Sequence, residues 1–410
     1  MALIVQKYGG SSVANAEKIL NVARRIGRTK DQGNLVVSTI SAMGDTTDEL
    51  IDLAGKITKR PNLREMDMLL STGELVSCAL VTMALQELSH KAISLSGAQA
   101  GIRTDTTYGK AKIAVVEPQR ILTELAAGKI VIVAGFQGIT PDHEVTTLGR
   151  GASDTTAVAI AAGLKADRCE VYTDVEGIYT ADPRLVPKAR KLDEVGFEEM
   201  LEMASYGAKM NPRSIELGMV YNVPIIVASS FVDKPGTLIH HGANKDMKVG
   251  EIRNRVRGIP TDKNVAKITV QEVQDRPGIA ANIFEPLASA DISVDVIVQN
   301  AGVQGKTDVT FTVKKTDLDR ALDVIKPLAE KLGAGGVVST TNLAKVSIVG
   351  TGMQDTPGYA SKMFRSLADA NINIFMISTS EIRITCVIEE ARLGDAARIL
   401  HTVFELDRSE

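Results

Sequence analysis

The sequence has no tryptophan, and aromatic residues make up only 4% of its 410 positions. Base-stacking platforms and aromatic cages are built from such rings, so both are poor expectations here. Basic excess is lacking too: 47 Lys and Arg stand against 50 Asp and Glu, a formal charge of −3. That balance supplies no positive surface for nucleic acid or an anionic membrane. The three cysteines, Cys78, Cys169 and Cys386, lie far apart with no CxxC, which argues against a disulfide framework or a structural zinc site. The five histidines show no ligand spacing, and His240-His241, beside Gly242, reads as an exposed turn. Leu3-Ile4-Val5 is too short, and lacks the basic lead, for a signal peptide. No stretch reads as the roughly 18 apolar residues of a membrane span. The cytoplasm is the default expectation. What remains is an ordinary globular balance, 44% apolar and 24% charged, at a length that suggests about two to four domains.

Along the first ~240 residues two patterns alternate. Short aliphatic runs at Leu3–Val5, Leu35–Ile40, Ile130–Ala134, Cys169–Thr173 and Pro224–Ala228 read as strands buried on both faces of a largely parallel sheet. Between them, Val13, Ala16, Ile19, Leu20, Ala23 and Ile26 follow the helical period, with Ser11 or Ser12 as N-cap. Thr155–Leu164 and Phe197–Ala204 read as further helices. This alternation predicts an α/β domain with helices on both sheet faces. From Gly236 to Asp262 the chain turns polar, and Arg253, Arg255 and Arg257 there read as an exposed strand face or linker. Beyond it lies an internal repeat. The segments 275–294 and 355–374 share nine identical residues of twenty and both open on Asp-x-Pro-Gly. Strands at Lys267–Val270 and Lys345–Val349 precede the two copies, so two α+β units follow the α/β domain.

Three glycine-rich loops close strands and open helices: Lys7–Ser12, Ser41–Asp48 and Gly149–Thr156. Glycine lets backbone amides approach an anion closely, and a helix N-terminus adds free N–H donors and a favourable dipole. Ligands of open α/β sheets collect at such strand ends. Three of these loops, carrying Lys7, Arg150 and several hydroxyls, point to a phosphate-handling site. Known fingerprints fail. Gly305-Lys306-Thr307 would need glycine at 300 for a P-loop, where Asn300 stands, so it reads as a loop of the first repeat. Gly149-x-Gly151 lacks the third glycine of a dinucleotide loop, and protein-kinase HRD and DFG sets are absent. The segment Tyr172–Arg184 starts at a strand end and reads either as a structured loop or as a nucleotide platform.

Taken together, KYGGSS at 7–12, SAMGDTTD at 41–48, STGE at 71–74, GRGASDTTA at 149–157, YTDVEGIYTADPR at 172–184 and SYGAK at 205–209 resemble the aspartate kinases over essentially the full chain. The resemblance implies the amino-acid kinase fold, a three-layer α/β/α sandwich with a largely parallel sheet, followed by two ACT-like βαββαβ units. It places the catalytic domain at 1–245, a linker at 246–263 and the ACT-like units at 264–340 and 341–410. It also implies phosphorylation of the side-chain carboxylate of L-aspartate by ATP, giving 4-phospho-L-aspartate, with ATP-bound Mg2+ as cofactor. The product leads toward lysine, threonine and methionine, with lysine and threonine as effectors and an oligomer formed through the ACT units or with a shorter regulatory chain. The alternative is an amino-acid-sensing ACT protein whose kinase domain is inactive.

Carried over by motif, the catalytic residues are Lys7, Glu74 and Asp154. Substrate binding falls to Ser41, Asp45, Thr46, Thr47, Glu74, Arg150, Gly151, Ala152, Ser153 and Asp154. ATP binding falls to Lys7, Tyr8, Gly9, Gly10, Ser11, Ser41, Thr173, Asp174, Tyr179, Asp182, Arg184 and Lys209. Effector binding falls to Asp275, Gly278, Ile279, Ala280, Ser293, Val294, Asp295 and Gln299 in the first copy, and to Tyr359, Ala360, Asn373, Ile374, Ser380 and Glu381 in the second. Ala152 stands where the family carries glycine, and the segment between Lys209 and Arg213 is one residue short. By themselves, Ser41 and Thr47 also read as helix caps, and Glu74 as an acid opening a helix.

Overall fold

The structure, a computed structural model, describes residues 1–242, 256–300, 302, 305–353 and 356–408. Arg253, Arg255 and Asp355 lie outside the described residues. The chain forms two compact units. Residues 1–178, 191–205 and the stretch from 209 form the first, and residues 179–190, 206–208 and the C-terminal part form the second.

The first unit carries twelve strands among its described residues: β1 (Leu3–Tyr8), β2 (Leu35–Ile40), β3 (Ala92–Leu95), β4 (Ile102–Thr104), β5 (Ile113–Val116), β6 (Ile130–Ala134), β7 (Gln137–Ile139), β8 (Val145–Thr147), β9 (Arg168–Thr173), β10 (Glu194–Gly196), β11 (Ile225–Ser229) and β12 (Thr237–His240). Its helices are α1 (Ala16–Asp31), α2 (Thr46–Ile57), α3 (Leu63–Glu87), α4 (Gln119–Ala126), α5 (Ser153–Leu164), α6 (Phe197–Ser205) and α7 (Pro212–Tyr221). The main sheet runs β10-β12-β11-β9-β1-β2-β6-β3, parallel except for the β11–β12 pair, and β5-β4-β7-β8 form a smaller sheet. The aliphatic runs become the central strands because neither face meets water. Residues Ile130–Ala134 are fully buried, with α3 and α4 packed against β6. Ile26, Ile40, Leu85, Ile130 and Ile132 are completely enclosed, each side chain contributing roughly 1.5–3 kcal/mol relative to exposure.

Three local expectations are corrected here. Helix α1 is capped by Asn15, whose side chain accepts from Lys18 N at 3.0 Å, and not by Ser11 or Ser12, which lie in a short turn. His240 ends strand β12 with Nε2 3.0 Å from Glu194 Oε2, instead of lying in a turn. Helix α3, 25 residues long, is apolar and long enough by length and composition to cross a membrane. It packs against α1, α2, β3, β6 and β8 and buries two carboxylates, Asp67 and Glu74, as a core helix does.

The second unit is one six-stranded sheet, β14-β15-β13-β16-β18-β17, built from β13 (Thr261–Gln274), β14 (Val294–Gln299), β15 (Lys306–Val313), β16 (Gly336–Val349), β17 (Met376–Ser380) and β18 (Arg383–Glu389). Helices α8 (Ile279–Ser289) and α9 (Leu318–Leu332) serve one repeat, and α10 (Tyr359–Asp369) and α11 (Leu393–Val403) the other. The long strands β13 and β16 are shared. Residues 267–271 of β13 pair with the start of β16 in the first repeat, and the end of β16 pairs with β18 in the second. The second repeat takes its fourth strand from upstream. Gly258 faces Val349, and Thr261 and Asp262 pair with Val346 and Lys345. Val256 and Ile259 enter the same core as Val346, Ile348, Met363 and Leu400. The segment 258–262, read as linker from the sequence, therefore bridges and pairs with the sheet. The burial pattern of 291–300 recurs residue for residue at 371–380, and Gly278 and Gly358, at φ +89° and +111°, open α8 and α10 in a conformation that favours glycine.

Candidate active site

Lys7 leaves β1 next to the first turn of α5, where Asp154 sits. Its Nζ lies 2.7 Å from Asp154 Oδ1, and both side chains are nearly enclosed. Two backbone bonds then draw the first two glycine loops together, Ser41 N donating to the Tyr8 carbonyl and Gly44 N to that of Gly10, each at 3.1 Å, while within the first loop Ser12 N closes the turn onto Gly9 O at 2.9 Å. The contact is close enough that a Cβ at Gly10 would sit 2.8 Å from the Ala42 carbonyl. Only glycine permits that approach.

Glu74 is the twelfth residue of α3 and 3% exposed, not the helix-opening acid that its local sequence also allows. Ala42 N donates to Oε1 at 3.2 Å, and Oε2 has no hydrogen-bond partner. Burial pushes its carboxyl up to about 7, against lowering by backbone hydrogen bonds. A buried carboxylate with one unpartnered oxygen is set up to receive a cation. Thr46 and Thr47 begin α2, half-buried, while Asp45 before them is exposed and makes no side-chain cap. The Ser41 carbonyl accepts from Ser77 Oγ at 2.7 Å.

The third loop is differently built. Gly149 and Gly151 hold φ +88° and +77° around Arg150, and the Arg150 guanidinium stands 75% exposed, paired to Asp48 Oδ1 at 2.8 Å. Ala152 takes an ordinary φ of −80°. Its methyl packs with Ala111, Phe136 and Leu148, so the departure from glycine fills core and leaves the loop backbone undisturbed. The short segment after Lys209 is absorbed in the same way: Asn211 caps α7 by accepting from Arg213 N at 3.0 Å, with Pro212 at its first position. Ser153 is buried beneath Gly135.

On the opposite side of Lys7, Asp174 accepts from Thr173 Oγ1 at 3.0 Å and from Lys209 Nζ at 3.1 Å. Partial burial raises the Asp174 carboxyl, but the Lys209 and Thr173 hydrogen bonds outweigh it and hold it below its usual range. Of Tyr8, expected among the ATP residues, only the backbone is left at the loop. Its ring is fully buried and stacked on Tyr172 at 4.9 Å, where burial raises its hydroxyl pKa well above the usual value. Ser11 is exposed, its carbonyl accepting from Lys18 Nζ. Tyr179, Asp182 and Arg184 fall in the second unit, where Arg184 forks onto both oxygens of Asp182. Sequence reasoning missed Ser230, whose Oγ joins Ser12 Oγ at 2.8 Å to the Thr173 carbonyl at 3.1 Å. It also missed Asp67, although a spacing of seven from Glu74 puts both on one helix face.

Of the effector set, Asp275 is exposed and accepts from Gly302 N at 2.8 Å. The Ile279 side chain is core, packed with Ile283 and Phe311, and so is not presented at the surface. Ala280, Val294, Tyr359, Ala360 and Ile374 are half-buried, and Ser293, Gln299, Asn373, Ser380 and Glu381 exposed. Asp295 pairs with the buried Lys345, which with Arg383 faces the ring of Tyr206.

A profile of the Amino acid kinase family matches residues 2–229, and one of the ACT domain matches 268–327 and 346–404. The aspartokinase of Mycolicibacterium smegmatis is 50% identical over 410 residues, covering 99% of this chain and 97% of that protein. The aspartokinase of Corynebacterium glutamicum is equally similar, 50% over 410 residues with the same coverage. Among solved structures, E. coli aspartokinase III in complex with aspartate and ADP, in its R-state, superposes with a TM-score of 0.82 at 25% identity over 98% of this chain and 99% of that one. The same enzyme with lysine and aspartate, in its T-state, gives 0.75 at 25% identity over the same shares. With an amino-acid kinase unit, paired ACT repeats and full-length relatives at half identity, the chain belongs to the aspartokinase family.

Proposed function

We propose that the first unit carries out its family's reaction, ATP-dependent phosphorylation of the side-chain carboxylate of L-aspartate to 4-phospho-L-aspartate, with Lys7, Asp154, Glu74 and Arg150 as its working side chains. The acceptor is a carboxylate already ionised at neutral pH, so no general base is needed. The obstacle is charge crowding as two anions meet. Lys7 neutralises the transferred phosphoryl group, and the amides of Gly9 and Gly10 with the Ser11 hydroxyl cradle it, a preorganised set that costs no rearrangement during transfer. Asp154 holds the Lys7 ammonium in place. Glu74 receives the substrate's ammonium with its unpartnered Oε2, and Arg150 takes the α-carboxylate as a bidentate fork. Ser41, Asp45, Thr46, Thr47, Gly151 and Ser153 orient the substrate. Thr173, Asp174 and Lys209 serve the nucleotide.

Mg2+ would come with the nucleotide, needing few ligands from the protein. Asp154 suits it, since Oδ1 has an ion-pair neighbour in Lys7 but no aligned hydrogen bond, and the ion would supply further neutralisation of phosphate charge. Lysine, found with a relative in its T-state, acts here as an effector at the ACT repeats, with threonine as a second. Assembly runs through the ACT units, with a second copy or a shorter regulatory chain. The observation that carries the catalytic reading is the joining of the Lys7–Asp154 pair and the half-partnered Glu74 through two interlocked glycine loops. ADP release with L-aspartate, L-glutamate and N-acetyl-L-aspartate tests it. Turnover with L-aspartate and loss of it on N-acetylation is expected; equal turnover of the acetylated compound removes Glu74 from its role.

A further inference from the structure

Asp67 is 1% exposed, yet no lysine or arginine among the described residues pairs with it. It is satisfied instead by three neutral donors making four hydrogen bonds. Gly109 N lies 3.1 and 2.9 Å from its two oxygens, Thr147 N donates to Oδ2 at 2.9 Å, and Thr147 Oγ1 to Oδ1 at 2.6 Å. The same two chain segments are gripped one step further on by Arg213, which donates Nη1 to the Leu148 carbonyl at 2.7 Å and Nη2 to the Ala111 carbonyl at 3.0 Å. A carboxylate thus takes N–H groups, and a guanidinium takes carbonyls, of one pair of segments, themselves joined by Ala111 N to Thr147 O at 2.9 Å. The chain emerging from this clamp is Gly149-Arg150-Gly151, two left-handed glycines around an exposed arginine. The turn closes on itself by Ala152 N to Gly149 O at 3.1 Å, and the exposed Arg150 guanidinium meets, among the described residues, only the exposed Asp48, whereas the root of the turn is tied at four backbone groups. Burying an ion among neutral donors is a costly way to pack a helix against a hairpin, for which an apolar side chain would serve.

We propose that Asp67 and Arg213 are positioning residues for the known reaction: together they set the height and direction of the Arg150 turn, and so the enzyme's affinity and selectivity for an amino acid with a free α-carboxylate. The proposal rests on the reading of Arg150 as the α-carboxylate clamp. Displacement of a binding group by about 1 Å can cost on the order of 100-fold, so partial loosening of the root falls below that.

Kinetics of the full-length enzyme with Thr147→Val, Asp67→Asn and Arg213→Lys, each also in an Arg150→Ala background, separate the possibilities. Thr147→Val keeps the buried shape and deletes a single bond to Asp67, so it remains informative if Asp67→Asn fails to fold. With Arg150 present, each folded variant raises the aspartate KM by roughly 5- to 50-fold and leaves the ATP KM within about 2-fold. With Arg150 absent, the same changes add less than about 2-fold, because the residue they position is gone. Equal effects in both backgrounds, or equal effects on both substrates, overturn the brace while leaving the Arg150 reading intact. An unchanged aspartate KM in Arg150→Ala alone overturns both and marks the clamp reading as the failed step.

Discussion

Glu74 and Lys7 hold their charges in opposite ways, and each has its own measurable consequence. Lys7 is already paired with Asp154 at 2.7 Å, so its side chain is held in place to meet whatever anion develops beside it. Lys7→Met is expected to lower kcat by roughly 100-fold or more while moving the aspartate KM far less, because the missing interaction belongs to transfer. An unchanged kcat would take Lys7 out of catalysis. Glu74 is uncompensated, and burial raises its carboxyl from 4.5 to about 7. Between those values the folded enzyme keeps a proton that the unfolded chain has released, so stability falls as pH rises through that window, by about 3 kcal/mol at the upper limit. Glu74→Gln is therefore expected to melt above the parent at pH 8 and to lose that advantage toward pH 4, while aspartate affinity collapses. The parent's aspartate KM should rise as pH drops below 7, where Glu74 becomes neutral. Parallel melting curves for parent and variant at both pH values would show that the carboxyl is not held up by burial. The motifs brought both residues into view, but the burial that separates their behaviour comes from α3 passing beneath the second glycine loop, a non-local contact.

At the level of elements, the strands of the first unit were legible because burial on both faces leaves unbroken aliphatic runs, as in Ile130–Ala134. Helix α1 was legible by its period, but its start was not. Ser11, Ser12 and Asn15 are all capable caps, and the chain uses Asn15 because Ser12 is drawn into the turn closed by Gly9 and bonded to Ser230. The fourth strand of the second repeat was hidden for a stronger reason. Val-Arg-Gly-Ile-Pro-Thr-Asp at 256–262 shows no alternation, and its partners lie some eighty residues downstream, at Lys345, Val346 and Val349. Register of that kind is written in the partner as much as in the strand. Ile259 is fully buried there, so Ile259→Ala is expected to cost about 2–5 kcal/mol, read as a loss of melting temperature. Arg257→Ala, two residues away, leaves the core side chains intact and should cost far less. Equal melts for the parent and Ile259→Ala would return the segment to the status of a linker.

On the scale of the whole molecule, the repeats have to change what the kinase unit does, and they can do so only through an effector that binds two states unequally. The Asp-x-Pro-Gly turns offer the means. Left-handed Gly278 and Gly358 open α8 and α10 there, and a helix N-terminus is the kind of place where an amino acid's carboxylate can be received. Asp275 stands exposed at the first of these turns and holds the Gly302 amide, while Asp295 is committed to the buried Lys345. Removing each should therefore read out differently. Asp275→Ala is expected to shift the inhibition curve for lysine, threonine or the pair by roughly 10-fold or more, a coupling loss within the usual range, with uninhibited kcat and melting temperature near the parent's. Asp295→Ala strands a buried ammonium, so it should lower the melting temperature as well as inhibition. Inhibition curves of Asp275→Ala that overlay the parent's for each amino acid and for the two together would mean that this enzyme does not sense its end products at the first repeat.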